Sequence, residues 1–371
     1  MTSPAPESAT PPDVTPPGDR PFVADAVCHP YNFAPENQRG SYGKAFTDVM
    51  WSSHPIINPP EHQLTREQWE RDWDIEQFVD TMFLESATDL ACVHSLPIYD
   101  AYVDGLSAID KGAELKRRYP ERVLWYATAD LFRGEEALES IEHQVRDLGA
   151  DGIKLYPAQY LRGRTRYWEM SDDTFAYPVF ELAQELGVKN IAVHKALPLG
   201  PVSTDAMRVD DIGRAAARFP DINFQIVHAG FMFIDETRML LMNHPNVYVT
   251  LEASFVSVLL DPAAFGRILG AFLSEGGPDR ILYSSAATNP HPRYLLDAFD
   301  RFELPDDVPH TLDRRTRDLI LGGNLARLHG IDPVERRAST AGDRFATAVA
   351  RDGYRDPWSI VRAADAAEVP A

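Results

Sequence analysis

Cysteine, long apolar runs and basic charge are all scarce in this sequence. Only two cysteines, Cys28 and Cys92, occur in 371 residues. Their spacing matches no metal motif, and the start of the chain lacks the charged-then-apolar pattern of a secretory signal. The expectation is a reducing, cytoplasmic setting with two small buried thiols and no structural disulfide. No apolar run reaches the length of a membrane-spanning helix. Asp and Glu number 56 against 36 Lys and Arg, a formal charge of −20. That imbalance argues against nucleic acid or an anionic membrane as partner and leaves a small molecule as the expected one.

What is present is an ordinary globular composition, 44% hydrophobic and 25% charged. Residues 1–20 are dominated by Pro, Ser and Thr and cannot bury enough apolar surface to order themselves, so a disordered tail is expected. A first strand runs from Phe22 into His29. Residues 33–88 then show no clean strand but carry Trp51, Trp69 and Trp73 and a helical pattern near 75–86. An insertion of this length after a strand reads as a lid or cap. From Leu90 onward apolar strands alternate with amphipathic helices. The strands lie at 90–94, 123–128, 152–157, 191–195, 224–228, 247–252 and 281–285, with a basic loop (Arg162, Arg164, Arg166) after the fourth. Eight strands, each followed by a helix, predict an α/β fold, the (β/α)8 TIM barrel, over 21–331. Residues 332–371 are expected to form a peripheral C-terminal extension, a contact for a homodimer.

Strand alternation assigns faces, outward ones apolar against the helices and inward ones nearest the C-terminal mouth. On the fourth strand Ile153 and Leu155 go outward, so Lys154 and Tyr156 point inward. On the seventh, Glu252 comes last on the inward face. His194 and His228 end consecutive strands; His228 shares its face with Phe224 and Ile226, and His29 shares its face with Val27. A buried lysine or glutamate without a task is costly, and convergence of several polar strand ends on one mouth points to a site. Lys195, on the face opposite to His194, reads as a rim group or as a support behind the site. His54, His62, His143 and His244 read as solvated.

These pieces resemble the amidohydrolase superfamily, in particular the amidohydrolase-related group that includes aminocarboxymuconate-semialdehyde decarboxylase. The resemblance covers roughly 22–331. It rests on the strand with His29, on Gly152-Ile153-Lys154-Leu155, Val193-His194 and Val227-His228-Ala229-Gly230, and on the ending Gly323-Asn324-Leu325-Ala326-Arg327-Leu328. It implies a divalent metal held by histidines from the first strand and an aspartate from the eighth. Two diagnostic positions depart from that pattern. Val27 stands where the first histidine is expected, and Ala286 stands where the aspartate is expected.

The resemblance thus implies a hydrolase of a small cyclic or carboxylated compound, with non-oxidative decarboxylation by the same mouth as the alternative. A non-catalytic ligand- or partner-binding barrel is the reading of a different class. The expected catalytic residues are His228, His194, Lys154 and Glu252, with Tyr156, Tyr31, Arg164 and His291 binding substrate. His29, His194 and His228 are the remaining set for a divalent metal, zinc by ligand type, in a degenerate site.

Overall fold

The computed structural model describes residues 20–198 and 200–368, without the side chains of 364–368. The tail expected at 1–20 lies, apart from Arg20, outside the described residues. Arg20 itself is anchored by a bidentate pair with Asp89.

Eight parallel strands form one sheet: β1 (Ala24–Cys28), β2 (Leu90–His94), β3 (Val123–Ala127), β4 (Gly152–Leu155), β5 (Asn190–His194), β6 (Asn223–Val227), β7 (Val247–Thr250) and β8 (Ile281–Leu282). They pair in chain order from β1 to β8. Backbone bonds from Ala26 N to Tyr283 O (2.9 Å) and from Ala286 N to Val27 O (3.0 Å) bring the last strand back to the first. The fold is the α/β TIM barrel that the alternation predicted.

The helices follow the strands as the apolar spacing requires. After the insertion they are α3 (Ile109–Arg118), α4 (Glu135–Arg146), α5 (Ala176–Glu185), α6 (Asp210–Arg218), α7 (Ile234–Asn243), α8 (Pro262–Gly276) and α9 (Pro292–Arg301). Ile153, Leu155, Ile191, Val193, Val247 and Val249 point outward and pack with these helices in one large core. Cys92, Tyr126, Ala192, Val227 and Tyr248 fill the barrel interior. Cys28 and Cys92 are both buried free thiols.

Three parts differ from the sequence expectation. The insertion contains two sizeable helices, α1 (Gly40–Ile57) and α2 (Ile75–Phe83), where only the second showed a helical pattern. The basic loop after β4 is an antiparallel hairpin, 158–161 paired with 164–167 around Gly163 at φ +79°. The C-terminal residues are not a peripheral arm. After α10 (Pro333–Thr340) and α11 (Arg344–Asp352), the chain buries Trp358 and, within α12 (Ser359–Glu368), Val361 among Phe33, Trp69 and Trp73. Glu85 clamps this return, accepting from Trp358 N (2.8 Å) and Ser359 Oγ (2.6 Å) while pairing with His291 Nε2 at 3.1 Å.

The Gly-Asn-Leu-Ala-Arg-Leu segment has a mechanical role. Asn324 donates to the carbonyls of Pro278 (2.7 Å) and Ile281 (2.8 Å), pinning the start of β8. Just before it, Gly322 presses on β1 so closely that a Cβ would lie 2.2 Å from Phe22 O.

Candidate active site

The barrel mouth is built by backbone in an uncommon conformation. Ala196, His228, Ala229, Glu252 and Ala286 all have positive φ, +69°, +68°, +51°, +35° and +58°, just past the ends of four consecutive strands, β5 to β8. Non-glycine residues there cost of order 1–3 kcal/mol each and persist where surrounding structure holds them, typically at functional sites. The turn explains how His228 reaches the mouth. Alternation alone puts it on the outward face with Phe224 and Ile226; the left-handed residue after Val227 turns the imidazole inward. Gly230 completes the turn at φ +74°, where a Cβ would collide with Thr237. Glu252 likewise follows β7 rather than ending it.

The converging groups form a connected set. His29 Nδ1 donates to the carbonyl of His94 at 2.8 Å, leaving Nε2 as an acceptor 3.8 Å from Glu252 Oε1. His194 Nε2 donates to Leu197 O at 2.8 Å, so its Nδ1 accepts from His228 Nε2 at 2.9 Å. His228 Nδ1 lies 2.8 Å from Glu252 Oε2, although the two are not aligned for a hydrogen bond. With Nε2 carrying hydrogen, an unprotonated Nδ1 would face a carboxylate lone pair. A proton shared between the two atoms relieves that contact. Tyr156 stacks on His194 with centroids 4.2 Å apart, and Tyr31 lies against His29 at 4.9 Å.

Burial tunes these groups. It pushes His29 and His194 down, the latter well below the ordinary imidazole value, with His228 and Lys154 adding repulsion at His194. Burial alone would raise Glu252, but His228 and His29 hold it well below the usual carboxylate range. Lys154 is only 1% exposed, and burial lowers it to about 8, with Glu252 opposing the shift. Beneath the mouth, burial raises Asp25 to about 7 despite its bonds to Ser285 Oγ (2.5 Å) and Ser285 N (3.0 Å).

A cavity of about 360 Å³ opens over this floor and is bordered by His29, Lys154, His194, His228 and Glu252. Tyr156, at its expected inward position, and Tyr31 border it as well. The face of α1 carrying Phe46, Met50, Ser53 and Ile57 closes one side.

Two expected binding residues lie elsewhere. Arg164 sits exposed on the hairpin, away from the cavity, because the basic loop folds back on itself. His291 is fully buried behind the mouth, where Glu85 and Trp358 occupy it; its neighbours Asn289 and Pro290 border the cavity instead. Lys195 is no rim group: it pairs with Asp211 at 2.8 Å, outside the barrel. His54 is buried rather than solvated, bonded to Leu64 N and Asn58. The cavity wall on α1 went unrecognised in the sequence, although Phe46, Met50, Ser53 and Ile57 recur at helical spacing.

The donor set fits a divalent metal poorly. Among the described residues no three His, Cys, Asp or Glu side chains are arranged to hold one. Two imidazole nitrogens on a tetrahedral zinc lie about 3.3 Å apart by ordinary Zn–N lengths. His194 Nδ1 and His228 Nε2 are at 2.9 Å and share a hydrogen. Of the expected set, His194 and His228 are hydrogen-bonded to each other and His29 lies on the other side of Glu252, with Val27 and Ala286 contributing no donors and Lys154 supplying a cation of its own.

A family model described as Amidohydrolase matches residues 104–331, more than half of the chain. No curated protein matches. Among solved structures, an uncharacterized TIM-barrel protein from Bordetella bronchiseptica is 15% identical, with 83% of this chain and 98% of that one covered at a TM-score of 0.60. A dihydroxybenzoic acid decarboxylase from Polaromonas, with bound manganese and the inhibitor 2-nitroresorcinol, is 16% identical over 83% and 97%, TM-score 0.51. A probable 2-pyrone-4,6-dicarboxylic acid hydrolase from Acinetobacter baumannii, with citric acid bound, is 10% identical over 83% and 99%, TM-score 0.51. By the extent of the family match, reinforced by the barrel and its histidine-lined mouth, this chain belongs to the amidohydrolase family.

Proposed function

We propose that the protein hydrolyses a small, largely apolar carbonyl compound (an ester, lactone or amide) with side chains in place of a resident metal. The observation that carries this reading is a desolvated lysine beside a Glu252–His228 ion pair and a neutral His29 on one cavity floor. The substrate carbonyl oxygen sits at the Lys154 ammonium, which stabilises the charge that develops there in a site of low polarity. The attacking water lies between His29 Nε2 and Glu252 Oε1, two acceptors whose 3.8 Å separation suits a bridging donor. His29 takes the proton of that water, and the His228 imidazolium returns one to the leaving group. Tyr156 and Leu197 fix the ring of His194, which orients His228.

One observation favours a second reading, decarboxylation. Glu252 lies 2.8 Å from His228, and a histidine that gains a proton there, beside a lysine, can bind a carboxylated ring and protonate the carbon that loses carbon dioxide. Incubation with candidate esters, lactones and hydroxybenzoates in 18O-labelled water, after chelation, separates the two. Label in the product acid supports hydrolysis. Carbon dioxide release without label replaces it with the second reading, and activity that returns only with added metal defeats the metal-free scheme.

A further inference from the structure

The cavity carries its ionic groups at the floor, and above them the Ser53–Asn289 pair and Ser257 are polar interruptions in an otherwise apolar wall. Between floor and solvent its sides are Phe46, Met50 and Ile57 of α1, Leu106 and Val256. Besides its histidines, no Asp, Arg or further Lys or Glu joins Lys154 and Glu252 on its border, in a chain that carries −20 overall.

The rim is apolar too, and exposed. Val49 (51%), Ile56 (65%), Phe231 (43%) and Leu260 (53%) all border this cavity, and they come from three separate segments: α1, the turn after β6 and the turn after β7. They are four of the eleven exposed large hydrophobic residues among the described residues, gathered around one opening. Exposed apolar side chains that cluster instead of scattering mark a surface that something covers.

We infer that the occupant is an amphiphile. A carbonyl or carboxylate head lies at Lys154, and an unbranched apolar tail runs along α1 until it covers Val49, Ile56, Phe231 and Leu260. The placement of the head rests on the hydrolase reading above; the tail rests on the apolar wall and its continuity with the rim. A hydrolysed acyl substrate leaves a carboxylate with the same tail, so fatty carboxylates mimic the product.

The test uses the full chain and measures dissociation constants for butanoate, hexanoate, octanoate and decanoate, and for the alkan-1-ols of equal length, by calorimetry. A fully buried methylene tightens binding about fourfold, so affinity is expected to climb steadily through the series. Carboxylates are expected to bind better than alcohols. Lys154→Met should erase that preference and keep the chain-length slope. Ile56→Asp and Leu260→Asp, at solvent-exposed positions that tolerate the change, should flatten the steps contributed by the longest chains. A flat series overturns the inference, as does a slope that both rim variants leave intact. So does a wild type that sediments as a dimer which the rim variants dissociate, since a second copy then covers the rim. A steep series without any ester or lactone turnover sinks the hydrolase reading alone; turnover with a flat series sinks the amphiphile alone.

Discussion

Lys154→Met should make the protein more stable and nearly inactive, and the stability gain should depend on pH. The lysine is lowered from 10.5 to about 8 by burial. A gap of roughly 2.5 units at 1.36 kcal/mol each means that keeping the ammonium in the folded barrel costs about 3 kcal/mol. Methionine fills a similar volume without the charge. The direction with pH follows from proton linkage. Below pH 8 folded and unfolded chains both carry the proton, and the folded state bears the whole cost. Between pH 8 and 10.5 the folded state sheds its proton first, so wild-type stability rises with pH. Above 10.5 both states are neutral and the cost is gone. Urea unfolding at pH 7 should therefore show the variant ahead by up to about 3 kcal/mol, and the advantage should shrink towards zero by pH 10.5. Turnover should fall about a hundred- to thousandfold, the usual effect of removing one stabiliser of a developing oxyanion. A variant less stable than wild type at pH 7, or an advantage that persists unchanged at pH 10.5, would refute the reasoning.

Other expectations concern the same mouth and its supports. The pH profile of kcat/KM should fall on the alkaline side with an apparent value near 8, as Lys154 loses its proton, and on the acid side below 6.5, where His29 becomes protonated and ceases to act as a base. Glu252→Gln should cost about a hundredfold or more in kcat by removing the carboxylate that lies against His228 and His29, with folding unchanged by circular dichroism. Elemental analysis of purified protein should find divalent metal well below stoichiometric, with turnover unaffected by chelation; a full equivalent that sustains activity would contradict the donor geometry. Glu85→Ala leaves buried His291 and the Trp358 amide unpaired and should lower stability by roughly 3–5 kcal/mol, with residues 359–368 the first to be cut in limited proteolysis.

Much of this was legible in the sequence because a barrel repeats its signals. The strand–helix alternation locates all eight strands, and Lys154 on β4 and Tyr156 just past its end both border the cavity because a short regular strand keeps its period of two. Parity failed where regularity ends. His228 lies in a left-handed turn, and no hydrophobic pattern encodes a sign of φ at a non-glycine residue. Arg164 and His291 were read from proximity along the chain. A hairpin took the first away from the mouth, and Glu85, 206 residues distant, claimed the second. The apolar chamber was hidden because α1 comes from an insertion whose partners are strand ends scattered through the rest of the chain.

The clamp on the C-terminal return carries a consequence for how the chain matures during synthesis. Glu85 and the tryptophans of the insertion emerge early, but the segment that covers them, Trp358 to Val361, leaves the ribosome only after the whole barrel, with Trp358 273 residues behind Glu85. Domains assemble largely as they emerge. The barrel strands can therefore close while Trp69, Trp73 and the carboxylate of Glu85 still lack their final cover. The chamber roof consequently sets after the barrel, and any nascent chain released before Trp358 would carry a finished barrel under an unfinished roof.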